Sequence, residues 1–96
     1  MPKWDRLTIY ERDRFYCRYC GFDGGTFATY RYLTVDHVNP KGPDEVDNLA
    51  TCCTYCNSCK SNDPCVSVEQ AREIVARHNV VNLVYWESKI LPKVRR

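Results

Sequence analysis

No apolar run in this 96-residue chain approaches the roughly 18 residues that would cross a bilayer, and the opening "MPKWDRLTIY" lacks the apolar stretch of a secretory leader. Neither a membrane span nor export is expected. Repeats, low-complexity stretches and linkers long enough to divide the chain are also lacking, so residues 1–96 read as one domain. Net charge is small, at +2, and there are only two histidines, His37 and His78. A domain of this length buries only roughly two-thirds of its unfolded surface, so its core is thin and calls for a staple.

Sulfur is what the chain has in quantity. Seven cysteines stand at 17, 20, 52, 53, 56, 59 and 65. An odd count with pairs spaced by two residues fits a disulfide framework poorly and a thiolate metal site well. The expectation is a soluble, cytoplasmic protein of a reducing compartment. Two Cys-x-x-Cys motifs, Cys17/Cys20 and Cys53/Cys56, are separated by 32 residues and together supply four thiolates for a tetrahedral structural zinc. Cys56 and Cys59 form a competing pair of the same spacing. Cys53/Cys56 is preferred because it leaves Cys59 one turn further along a helix, as a small apolar residue, with Cys52 and Cys65 also outside the zinc shell.

Charge is unevenly spread. The first 31 residues carry Lys3, Arg6, Arg12, Arg14, Arg18 and Arg31 against four acids, and the tail carries Lys89, Lys93, Arg95 and Arg96 against none. Asp36, Asp44, Glu45 and Asp47 gather in the middle. Basic ends around an acidic centre suit a protein that holds a polyanion beside a metal. Along the chain, apolar spacing at Trp4, Leu7 and Ile9 or Tyr10 predicts a short helix over 4–14. "CRYCG" reads as a knuckle, with Gly21 free to take positive φ. "TFATYRYLTV" is rich in β-branched and aromatic residues and predicts strand to near Asp36. "NPKGPDEVDN" is a loop. A short helix is expected from Cys53 to about Asn62, before Pro64. Ser67 and Gln70 match a capping box opening a helix to about His78, whose imidazole would suit the dipole of the last turn. Beyond Asn79 a further helix is preferred over strand.

One dipeptide is out of place. Asp36 and His37 close an apolar strand, where neighbouring side chains point to opposite faces. A zinc staple joining residues 17–20 to 53–56 would draw this strand end toward the helix that starts near Cys53, with Asn57 facing the same space.

Here the residues resemble the HNH endonuclease family. The matching elements are Asp36-His37, Asn48-Leu49, Cys53 and Cys56, Asn57 and Lys60, preceded by "RDRFYCRYCG" as the family's first zinc knuckle. The resemblance covers about residues 12–62, leaving a helical extension over about 67–96. It departs at Asn57, where the family usually has His, though some members are similar in carrying Asn there. The resemblance implies a small α+β fold, a ββα-metal (His-Me finger) core stapled by Cys17, Cys20, Cys53 and Cys56, with flanking helices. It implies a metal-dependent DNA endonuclease leaving 5′-phosphate and 3′-hydroxyl ends, with His37 as general base, Asp36 and Asn57 on one Mg²⁺ or Mn²⁺, and Asn48 anchoring the loop or orienting His37. An amide oxygen at 57 is a hard ligand and suits those ions. Lys60, Arg18, Lys93, Arg95 and Arg96 are the candidates for contact with DNA. A homodimer or a larger phage or restriction partner is compatible with this reading, and no membrane is. The alternative is a zinc module that binds nucleic acid or protein without cutting.

Overall fold

The computed structural model describes residues 4–94. Asp5 starts helix α1 (Arg6–Arg12) by accepting the Leu7 amide on its carboxylate at 3.0 Å. Ile9 and Tyr10 are the buried residues of α1, whereas Leu7, expected on the apolar face, is exposed. Asp13 ends the helix, and Arg14 and Phe15 both take left-handed backbone, at φ 59° and 62°. The chain then enters the knuckle, where Gly21 at φ 82° turns it back and its amide donates to the Cys17 carbonyl at 2.9 Å.

Composition predicts strand from residue 26, but Phe27–Tyr30 form a one-turn helix, α2. The cause is local. Thr26 and Thr29 cap reciprocally, each hydroxyl accepting the other's amide at 3.1–3.2 Å, and this overrides β propensity. Strand β1 (Leu33–His37) begins only after it and pairs antiparallel with β2 (Leu49–Cys53), from Leu33 opposite Cys53 to His37 opposite Leu49.

All five residues of β2 are buried because the ribbon is covered on two sides. Thr51 faces α1: its amide donates to Asp13 Oδ2 at 2.9 Å and its hydroxyl to the Ile9 carbonyl at 3.2 Å. Ala50 and Cys52 face the other way and join the main core with Cys56 and Cys59 of α3 (Thr54–Lys60) and Ala71, Ile74 and Val75 of α4 (Val68–Tyr85). Alternation across one strand thus builds both layers.

The Ser67 hydroxyl caps α4 by accepting the Gln70 amide at 3.2 Å, and the Gln70 side chain reaches back to the Val66 amide at 2.8 Å. Contrary to expectation, the helix does not end near His78. Asn79 and Asn82 both bond the Tyr55 hydroxyl, at 2.8 and 3.0 Å, so α3 carries α4 onward to Tyr85, followed by a π-helical turn over Trp86–Ile90. His78 consequently lies mid-helix, 3.9 Å from Asp63. Past this point the helix outgrows the core, and Val80, Val81, Leu83, Val84 and Tyr85 are exposed. Among the described residues no helix is long and apolar enough to cross a membrane. The result is a small α+β domain whose β1, β2 and α3 form a ββα unit.

Candidate functional site

Cys53 ends β2 and is the N-cap of α3, its sulfur 3.4 Å from the Cys56 amide; this cap presents Cys53 and Cys56 together. The knuckle is hung against them by the Arg18 amide, which donates to the Thr51 carbonyl at 2.9 Å. The four sulfurs of Cys17, Cys20, Cys53 and Cys56 lie within 4.8 Å of one another. Those of Cys20 and Cys53 are 3.7 Å apart, close to the roughly 3.8 Å edge of a tetrahedron with zinc–sulfur bonds of about 2.3 Å. The donor set and its spacing therefore fit one zinc ion. Cys52 and Cys59 pack in the core, and Cys65 lies beside Ser67, donating to its carbonyl at 3.1 Å.

The thiols of the cluster shift one another. Hydrogen bonds from Cys52 and then Cys56 hold Cys17 far below the ordinary thiol range. Cys56 is pushed up by its bond to Cys17 and by burial, and Cys20 rises to about 11, first through burial of its sulfur. Binding of a metal by these thiols releases protons.

At the end of β1, Asp36 and His37 are held by different partners. The Asp36 Oδ2 accepts from the Tyr19 hydroxyl at 2.7 Å and from Lys60 Nζ at 3.0 Å. Lys60 Nζ also donates to the His37 carbonyl at 3.0 Å. Burial, and then the bond to Asp36, pushes Tyr19 well above its ordinary range, so it stays a phenol and a donor. Lys60 corrects an expectation: its side chain is fully buried, because α3 packs against β1, and its amine is held inside the domain instead of facing a phosphate.

His37 keeps 39 % of its side-chain surface exposed, and its Nε2 lies 2.9 Å from Asp44 Oδ1, which also accepts the Trp4 indole N–H at 2.7 Å. A neutral imidazole that donates through Nε2 keeps its lone pair on Nδ1. Asn48 closes the intervening loop: its Oδ1 accepts the Asn39 amide at 2.9 Å, and its Nδ2 donates to the Asn39 and Pro43 carbonyls at 3.0 Å each. A Cβ at Gly42 would stand 2.8 Å from that amide nitrogen, so the close approach needs glycine there. Asn57 is exposed on α3, three residues before Lys60. Arg18 is half-buried beside Asp13 and Lys93 is exposed; Arg95 and Arg96 lie outside the described residues.

Tyr19 and Asp44 were not singled out from the sequence. Tyr19 sits between two knuckle cysteines, and a hydroxyl carried there is the signal that could have found it. Asp44 contacts His37 through the fold of the loop, and no spacing rule points to it.

Residues 17–63 match the model of a family described as HNH endonuclease. Over 51 residues the chain is 33 % identical to a protein of Legionella pneumophila, "Type 4 apparatus protein DotN", covering 53 % of this chain and 22 % of that protein. The chain thus spans less than a quarter of that relative's length. No solved structure matches.

Proposed function

Since residues 17–63 match the HNH endonuclease family, we propose that the chain hydrolyses phosphodiester bonds of DNA at the end of β1, leaving 5′-phosphate and 3′-hydroxyl ends. The observation that carries the reading is Asp36 and His37 side by side, each oriented by its own charged partner, Lys60 and Asp44. His37 takes a proton from the attacking water on Nδ1, while Asp44 fixes the tautomer and ring plane. Asn48 keeps the loop closed and so keeps Asp44 in reach. Asp36, through the oxygen not held by Tyr19 and Lys60, and Asn57, through its amide oxygen, would hold one Mg²⁺ or Mn²⁺. When bound, that cation stabilises charge building on the phosphate and the departing 3′-oxygen. One carboxylate and one amide suit a hard cation that completes its shell with water and substrate phosphate. Because Lys60 offsets the charge of Asp36, tight cation binding should require the substrate.

The test uses the zinc-loaded protein with supercoiled, linear, single-stranded and branched DNA, with Mg²⁺, with Mn²⁺ and without added divalent ion. Cutting that needs the added ion is expected, and its loss in His37→Ala with zinc retained. No cutting of any substrate, or equal cutting without the ion, would overturn the reading.

A second reading, a zinc module that docks without cutting, is favoured by exposed Val80, Val81, Leu83, Val84 and Tyr85 and by the apparatus for which the Legionella relative is named. The same assay separates the two.

A further inference from the structure

An open groove of about 720 Å³, not lined by Asp36 or His37, lies beside the first knuckle, where Arg12, Arg14, Arg18 and Arg72 meet only two acids, Asp13 and Asp47. Three separate regions of the fold bring these arginines together: the end of α1, the knuckle and the exposed side of α4.

Both acids answer the same arginine. Arg12 donates to Asp13 through Nε and Nη2, at 2.9 and 3.0 Å, and Asp47 acts on it electrostatically. Its remaining capacity goes to the Val46 and Leu49 carbonyls, at 2.9 and 2.6 Å. Arg12 is therefore architecture. Arg18 comes no nearer to Asp13 than 3.9 Å, and Arg72 uses Nε on the Arg18 carbonyl, at 2.7 Å, leaving its terminal nitrogens free of that bond. The Arg14 side chain has no hydrogen-bond or ion-pair partner among the described residues. Its backbone is left-handed, as is that of Phe15, a conformation that costs about 1–2 kcal/mol at each non-glycine residue. Such strain persists only where its surroundings impose it. Here the Phe15 amide bonds the Tyr10 carbonyl and its own carbonyl accepts the Gly24 amide, both at 2.8 Å. Arg14 is thus set at the groove by the fold.

Planar, permanently charged guanidinium groups facing an open groove match phosphate oxygens better than any neutral ligand. The groove also lies close to the proposed cleavage site. Asp47 in its wall is two residues from Leu49, which pairs with His37 across the sheet, so the wall and His37 are at most roughly 13 Å apart between Cα atoms.

We propose that this groove is a second phosphate site, in which Arg14, Arg18 and Arg72 hold the sugar–phosphate backbone of a nucleic acid a few nucleotides from the bond addressed by His37. It deepens, and rests on, the nucleic-acid reading given above.

Binding and cleavage are measured separately. Anisotropy of labelled duplex and single-stranded oligonucleotides is followed across a salt series in a His37→Ala background, so that cutting does not intrude. Each phosphate contact contributes about 0.7–0.9 to the slope of log K against log salt. Arg14→Ala should therefore flatten the slope by about one and Arg14→Ala/Arg72→Gln by about two, with zinc content and melting midpoint retained. If Arg72→Gln disturbs the knuckle, Arg14→Glu, which removes no side-chain bond to a described residue, carries the test alone and should flatten the slope by at least about one. An unchanged slope, no nucleic-acid binding at all, or Arg14-dependent binding of polyglutamate but not of DNA would overturn the proposal. Cleavage with an unchanged slope removes the groove and leaves the hydrolase. An Arg14-dependent slope without cleavage does the reverse.

Discussion

Replacing Lys60 with methionine keeps the length and packing of the side chain but removes the amine. That amine is fully buried, 3.0 Å from Asp36 Oδ2 and 3.0 Å from the His37 carbonyl, while Asp36 is itself 11 % exposed. Removing one partner of a buried pair strands the other charge and costs about 3–5 kcal/mol, far more than the net worth of the pair. Tyr19 would still donate to Asp36, which places the loss toward the lower end. Each kcal/mol moves the midpoint of a domain this size by about 4–8 °C, so Lys60→Met should melt at least about 12 °C below the parent. Thermal unfolding by circular dichroism, at equal protein and zinc concentrations, measures it. Adding Asp36→Asn removes the stranded charge and should recover some of the loss. A shift under about 5 °C for Lys60→Met, or a double variant less stable than the single, would refute the argument.

Cys17→Ser or Cys56→Ser should lose zinc by metal analysis and unfold, whereas Cys65→Ser, outside the cluster, should keep zinc and lose about 1 kcal/mol. His37→Ala should slow cleavage by about 10²- to 10⁴-fold without loss of zinc or fold, and Asn57→His should keep activity while shifting preference toward softer ions such as nickel, read from initial rates. Asp13 has a pH signature: burial raises its pKa, but bonds from Arg12 and the Thr51 amide outweigh this and leave it below the usual carboxylate range. Its contribution is complete above the unfolded value, about 3.9, and is lost as pH falls through the lower folded value. Below about pH 4, urea melts of the parent should therefore weaken more steeply than those of Asp13→Asn.

The zinc cluster was legible because its information is local. A two-residue spacing fixes two thiols on one turn, and two such turns need only meet. The same holds for the cap at Ser67. What escaped was what other segments impose. Asn79 looked like a helix stop, yet Tyr55 holds it inside α4. Lys60 looked like a surface cation, but α3 turns it toward β1, and its spacing of one residue from buried Cys59 and four from buried Cys56 hinted at that face. The strand expected over 26–32 failed for a local reason, because a threonine cap outweighs a β-branched composition. Asp36 and His37 were recognised by their oddness, while the partners that orient them, Tyr19 and Asp44, come from 17 residues before and 7 after.

Because Cys20 and Cys53 meet, the 32 residues between them would form a ring closed through a zinc ion held by the cluster, with β1 and the His37 loop inside it. The entropy of closing such a ring grows only with the logarithm of its length, so ten extra residues would add about 0.2 kcal/mol. Exposed Gly25 and Thr26 lie on the ring, just ahead of α2. A peptide tag or a whole guest domain spliced there should leave the strand register and the sulfur cluster as they are, provided its own two ends lie close together.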